Sequence, residues 1–401
     1  MKDYIELRAE QLRKNWDQSF LDFNTTEDLE PFKGIIGQEK AVRAMEFGTK
    51  IKAKGYNIFI TGVSGTGKTT YAKEYLGRIA KMGNTPDDWC YVYNFEDPNR
   101  PVAINLPCGK GKEFYRDILE LMQEVRNEIT KAFSGETYDN ERTNIFKELQ
   151  EKRNQLFDEF NNYAKEQGFQ VSISNSGMYF TPIIDDKPIG EDEYANLDDE
   201  TKKYINGELS KIQFKAIDYI RKIKTLEKEA RDKSNELENR IGLFAVGFHI
   251  DDMKDKYIDY PKIIKYLDDL KKDILENLDD FKQPVQGEDQ NEATQMFQRA
   301  KEKIDHKYLV NLLVDNSDKD GAPVVLEFSP TYTDLYGTFE YENRLGTIVT
   351  DFTKIKPGSV HKANGGYLVL QASDVLSTPF VWENLKKILK TKCITIENLR
   401  D

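Results

Sequence analysis

Eight consecutive residues, Gly62-Val63-Ser64-Gly65-Thr66-Gly67-Lys68-Thr69, satisfy the pattern G-x-x-x-x-G-K-[ST] at every position. That spacing suits the gripping of a polyphosphate: glycines let the backbone turn its N–H groups inward, and a following helix offers its positive end to the anion. In this arrangement Lys68 reaches the β- and γ-phosphates, and the hydroxyl of Thr69 is placed on Mg²⁺. The candidate contact set is Gly62, Val63, Ser64, Gly65, Thr66, Gly67, Lys68, Thr69 and Thr70, with ATP and Mg²⁺ as the expected ligands. The competing explanation is a glycine-rich turn with an exposed lysine.

The flanks decide between the two. Ahead of the loop, Tyr56-Asn57-Ile58-Phe59-Ile60-Thr61 is β-branched and aromatic, and behind it Thr70 to Leu76 carries apolar residues at helical spacing. The expectation is therefore strand, loop, helix, which is the setting the motif requires.

Other reactive side chains lack such a setting. His249, His306 and His361 have no metal-ligand spacing, and a loop histidine bonded to backbone is the simpler reading of His361. Cys90, Cys108 and Cys393 are too few and too scattered for a disulfide framework or a zinc cluster, which suits a reducing cytoplasm. Tyr332, Tyr336, Phe339 and Tyr341 suit a pore that grips an unfolded chain, and equally suit buried packing or a hairpin surface.

The whole chain has 401 residues, more than one typical domain of roughly 100–200 residues. Its formal net charge is −12, which argues against a large phosphate-neutralising surface and hence against nucleic acid as a partner. Charged residues make up 32% of it, its mean hydropathy is −0.68, and no run approaches the roughly 18 apolar residues of a membrane span. The first residues lack the apolar stretch of a signal peptide.

Several elements must position the loop. Residues 1–33 read as a short helix and a link with threonine caps, and a helix opens near Gly34 and runs to about Lys52. Trp89 to Phe95 and Pro101 to Leu106 read as strands, as do Tyr308 to Val314, Pro323 to Phe328 and Gly366 to Leu370, with a helix at Val381 to Leu389. Between these sets lie charged segments with narrow apolar stripes, such as Ile118, Leu121, Met122, Val125 and Ile129, the pattern of antiparallel coiled coils. Phe169 to Phe180 alternates like a small β element at the tip of that arm, and Phe281 to Glu292 reads as a polar loop. If the arm is an insertion, the late strands complete the early sheet, and the fold class is α/β with a parallel sheet.

Taken together, these residues resemble the Lon-like ATP-dependent proteases, close to the type-B branch with a helical insertion in its AAA+ module. The resemblance rests on Gly34-Ile35-Ile36-Gly37-Gln38-Glu39-Lys40-Ala41, Lys54 to Phe59, the phosphate loop, Tyr93 to Pro98 with Leu106-Pro107, and Gly358 to Leu368. It implies a P-loop NTPase of the AAA+ type divided as 1–33 N-terminal helix and linker, 34–112 first part of the ATPase domain, 113–290 inserted helical coiled-coil arm with its β tip near 169–190, and 291–401 second part, ending before the lid and peptidase. It also implies a homo-oligomeric ring that unfolds misfolded or unfolded protein substrates and feeds them to a serine–lysine peptidase, which would lie beyond Asp401. In AAA+ ATPases the turn ahead of the phosphate loop often lies against adenine, which makes Ile36, Gly37 and Gln38 candidates by analogy.

One departure bears on mechanism. The strand Gly366 to Leu370 looks like a Walker B strand, which should end in Asp-Glu, yet it ends in Gln371-Ala372. Neither side chain can act as a base. Asp374 is the candidate catalytic substitute if the strand continues, and Asp351 could approach from a turn; a helix cap and a turn residue are their plainer readings. Two rival functions share the same motif: a nucleotide-switched coiled-coil adaptor ATPase, and an unfoldase without its own peptidase.

Overall fold

A computed structural model describes residues 6–13, 17–30, 37–51, 53, 55–174, 177–184, 187–282, 306–344 and 347–396. The described residues within 6–30 hold three short 3-10 turns, Ala9–Gln11, Gln18–Phe20 and Thr26–Asp28, where the sequence suggests a helix. Helix α1 (Glu39–Lys50) and helix α2 (Lys68–Ala80) follow. Between them the segment 56–61 forms no strand and pairs with none among the described residues, contrary to expectation. Phe59 is 75% exposed, so the apolar residues that suggested a strand interior are not buried here.

Two sheets carry the α/β part. In the first, β1 (Asp88–Val92) pairs with β2 (Val102–Leu106) and with β6 (Val310–Val314), in the order β2-β1-β6 and antiparallel throughout. In the second, β7 (Val324–Glu327) and β12 (Tyr367–Leu370) run parallel, with Leu370 opposite Glu327. The expectation of one parallel sheet is thus corrected: among the described residues only the β7–β12 ladder is parallel. Connection length explains the difference. The link 93–101 between β1 and β2 is a hairpin loop, whereas 328–366 is long enough for the crossover that parallel neighbours need. A late strand does join the early ones, since β6 lies beside β1.

The long helices are α3 (Lys110–Phe133), α4 (Glu136–Glu166), α6 (Asp199–Lys256) and α7 (Pro261–Glu276), with the short α5 (Glu191–Ala195) ahead of α6 and α8 (Asp279–Lys282) after α7. Helix α6, with 58 residues, is about 87 Å long. It runs antiparallel to α4, because Lys233 meets Glu148 at 2.8 Å while Arg240, further along α6, meets Glu141, earlier in α4. Each end of α6 has its own core. Toward its start, Ile205, Ile212 and Tyr219 pack with Phe160 and with Phe169 and Val171 of the hairpin β3 (Phe169–Ser174) and β4 (Gly177–Ile184), which β5 (Lys187–Pro188) extends. Toward its end, Val246 and Ile250 join α3, α7 and the sheet residues Cys90, Val92, Ile104 and Leu106 in one buried cluster. Phe114, Ile118, Leu121, Val125 and Ile129 on α3 face that cluster because they recur every three or four residues.

The remaining elements pack around β7–β12. They are α9 (Tyr332–Tyr336), the short strands β8 to β11 within 338–356, α10 (Ser359–Lys362), α11 (Ala372–Ser377) and α12 (Val381–Thr391). Gly366 is required where the chain enters β12, because a Cβ there would stand 2.1 Å from the carbonyl oxygen of Pro323. That close approach lets Tyr367 N–H donate to the same oxygen at 2.8 Å, which starts the parallel ladder. No helix of the described residues is long and apolar enough to cross a membrane.

Candidate phosphate-binding site

The loop at 62–67 folds as its glycines allow. Gly62, Gly65 and Gly67 have φ of 156°, 82° and 79°, values that other residues rarely adopt, and nothing lies within 4 Å of a Cβ built on Gly65 or Gly67. The hydroxyl of Thr66 donates to the Val63 carbonyl at 2.8 Å and braces the turn. The Lys68 ammonium donates to the carbonyls of Gly62 at 2.9 Å and Val63 at 2.7 Å, so it is folded back over the loop that a phosphate would share with it.

Helix α2 begins at Lys68 with Gly67 as its N-cap, and no side chain caps its first N–H groups. Those amides and the helix dipole favour an anion at this end. Thr69 and Thr70 are exposed on the first turn, where a hydroxyl can reach a hydrated cation. Open space over the glycines, uncapped amides and one ammonium group fit the polyphosphate of ATP. For Mg²⁺ the fit is Thr69 alone on this element.

Tertiary packing ties the loop helix to the parallel pair. Tyr75 and Leu76 of α2 bury against Met45 of α1 and against Val324, Tyr367 and Val369 of β7 and β12. Thr49 and Tyr75 share a hydrogen bond at 3.1 Å. Gly37 and Gln38 are exposed at the start of α1, where Gln38 is its N-cap, and no hydrogen bond joins them to 62–70 among the described residues. Ile36 lies outside the described residues.

The acids occupy different places. Strand β12 stops at Leu370, and Gln371 is already the N-cap of α11, so Asp374 stands in the first turn of a helix and accepts from its neighbour Ser373 at 3.0 Å. Asp351 caps the turn Phe352–Lys354 through the Thr353 N–H at 2.8 Å and faces His306 Nδ1 at 3.3 Å. Burial raises its pKa, but bonds from Thr353 and His306 outweigh that and hold it below the usual carboxylate range. Glu327, which sequence reasoning passed over as the end of a strand, closes β7 beside Leu370 and accepts from the Ser359 hydroxyl at 2.7 Å. The available signal was a lone charge ending an apolar run.

His361 is buried, and its Nδ1 accepts the Gly358 N–H at 3.2 Å; burial lowers its pKa to about 4. Tyr332 and Tyr336 are core residues, with the Tyr336 hydroxyl donating to the Val381 carbonyl at 2.6 Å. Burial pushes the Cys90 thiol up to about 12, which makes it a packing residue rather than a nucleophile. Among the described residues no group of three His, Cys, Asp or Glu side chains is arranged to hold a metal ion.

A glycine loop and lysine heading a helix that packs on parallel strands has the build of a P-loop nucleotide-binding protein. Sequence comparison narrows the class. Residues 320–401 match the LonB-like AAA domain, and residues 88–121 match the Lon-like LonC helical domain. The archaeal Lon protease of Thermoplasma volcanium is 32% identical over 102 residues, which is 24% of this chain and 15% of that protein. The archaeal Lon protease of Thermoplasma acidophilum is 31% identical over 120 residues, 29% of this chain and 17% of that protein, and that of Archaeoglobus fulgidus is 32% identical over 97 residues. The matched stretches thus span under a fifth of those relatives' length. The chain is Lon-like over these segments, and its AAA region implies nucleotide binding.

Proposed function

We propose that this chain is the ATP-holding portion of a Lon-like protease, in which residues 62–70 bind ATP and the surrounding AAA+ unit drives protein substrates toward a serine–lysine peptidase. One observation carries the reading: α2, which the phosphate loop heads, packs on β7 and β12, and both strands lie inside the segment that matches the LonB-like AAA domain. Loop and matched region therefore form one folded corner. In that corner the amides of the loop and of the first turn of α2 cradle the phosphates, and Lys68 exchanges its carbonyl partners for the β- and γ-oxygens. The Thr69 hydroxyl would hold Mg²⁺, which when bound would supply neutralisation of phosphate charge.

As a domain plan we propose 34–112 and 291–401 for the ATPase unit and 113–290 for an insertion containing α3, α4, α6 and α7, with the LonC helical match at 88–121 crossing the first boundary and α3, α7 and the end of α6 sharing a buried cluster with β1 and β2. A cytoplasmic homo-oligomeric ring acting on unfolded or misfolded proteins belongs to the same reading, with Gly37 and Gln38 near the base of ATP. Calorimetric titration tests the core of it. The wild-type chain is expected to bind ATP with Mg²⁺, and Lys68→Ala is expected to lose most of that affinity; binding by the variant at wild-type strength refutes the assignment.

A further inference from the structure

We infer that Glu327, at the carboxyl end of β7, is the catalytic carboxylate of this site and takes the part that Gln371 and Ala372 cannot. The inference rests on the assignment of ATP to residues 62–70. What it adds is the identity of the base.

Three observations place Glu327 at the right edge. First, β7 and β12 are parallel with Leu370 opposite Glu327, so both strands end on one side, and ligands of open α/β sheets sit outside the carboxyl ends of the strands. Second, α2 runs against the direction of β7. Its last residue, Ala80, accepts from the Ala322 N–H at 2.9 Å just before β7 begins, and a Cβ on Gly321 would stand 2.2 Å from the Ala80 oxygen. From Ala80 back to Lys68 is about 18 Å of helix. From Ala322 forward to Glu327 is about 17 Å of extended chain. The phosphate loop and Glu327 therefore reach the same level at the same end.

Third, Glu327 is aimed. Val324 faces α2 with Tyr367 and Val369, so alternation puts Glu327 and Leu370 on the other face, the side on which Ala372 would lie had the strand continued. There the buried Ser359 donates to Oε2 at 2.7 Å and fixes the carboxylate, while Oε1 has no hydrogen-bond partner among the described residues. Asp374, by contrast, is on the first turn of α11, past the end of the strand.

In the step this implies, the Glu327 carboxylate accepts a proton from water as the water oxygen bonds to the γ-phosphorus. The bond from that phosphorus to the β–γ bridging oxygen breaks, ADP and phosphate leave, and the proton passes from Glu327 to solvent. Ser359 is a positioning residue, since it acts only through Glu327.

The test is single-turnover hydrolysis of labelled ATP by the wild-type chain and by Glu327→Gln, Ser359→Ala and Asp374→Ala, beside nucleotide affinity and the rise in melting temperature that ATP confers. Glutamine can still accept from Ser359, so Glu327→Gln is expected to bind ATP at wild-type affinity and to hydrolyse it about a hundredfold more slowly or worse. Its ATP-induced rise in melting temperature should persist for hours, while that of the wild type decays with turnover. Ser359→Ala is expected to lose less rate than Glu327→Gln at unchanged affinity. Turnover by Glu327→Gln at the wild-type rate, or a loss confined to Asp374→Ala, overturns the assignment. Binding without any turnover by the wild type overturns it too and leaves the ATP site standing, whereas failure of the wild type to bind ATP removes both.

Discussion

The phosphate-loop corner and the core beneath the long helices are held together in different ways. Around the loop, Gly62, Gly65, Gly67 and Thr69 are exposed, and the buried side chains that anchor α2 belong to its later turns, Ala72, Tyr75, Leu76 and Ala80. Beneath the long helices, Phe114, Ile118, Val125, Val246, Ile263, Leu267 and Leu270 are all but inaccessible and belong to one buried cluster with Cys90 and Val92 of β1 and Ile104 and Leu106 of β2. The first region is shaped by backbone geometry and kept open to a ligand; the second is shaped by apolar packing. Substitutions should therefore separate binding from stability.

The largest expected effect lies in the packed region. Phe114→Ala removes a ring that meets Tyr257 edge-on at 5.3 Å and should cost about 3–5 kcal/mol of stability by denaturant titration. Where the variant is folded, its ATP affinity should match the wild type, and a parallel loss of affinity would erase the distinction between the two regions.

Next comes His361, in the layer beside the parallel pair. Its folded pKa of about 4 lies below the ordinary 6.5, so the neutral ring favours the folded state. That contribution is whole above pH 6.5 and is lost as pH falls toward 4, by up to roughly 3 kcal/mol. Melting curves across that window should flatten in His361→Gln, and an unchanged slope would show that other groups set the acid limit.

Lys68→Ala sharpens the contrast from the other side. Losing one charge-assisted grip should weaken ATP binding roughly tenfold to a hundredfold, while the melting temperature without nucleotide should hardly move, because among the described residues the lysine bonds only to its own loop. A large drop in that temperature would mean that the loop is structural. The smallest effect belongs to the exposed Lys233–Glu148 pair between α6 and α4. Lys233→Ala should leave melting within error, since exposed ion pairs are screened and constrain long side chains; a clear drop would show that charge, not packing, joins the helix pair.

How much of this was legible beforehand varies with the range of the interaction. Helix α3 and the strands β1, β2, β6, β7 and β12 fall where apolar spacing and β-rich runs placed them, because spacing along the chain alone reports which residues share a face. Residues 56–61 show the limit: their β-branched and aromatic content suits a strand, yet a strand needs partners, and local composition names none. The antiparallel setting of β1, β2 and β6 was equally hidden.

By itself the sequence determined the G-x-x-x-x-G-K-[ST] pattern at 62–69, the likeness to Lon-like proteins and the absence of an Asp-Glu pair directly after Leu370, since each is a matter of residue identity at fixed spacing. Only the tertiary structure decided that the loop helix lies on β7 and β12 and that Ser359 bonds Glu327 at the end of β7. These residues are far apart in the chain, and what joins them is burial and strand pairing between distant segments, which no local pattern encodes.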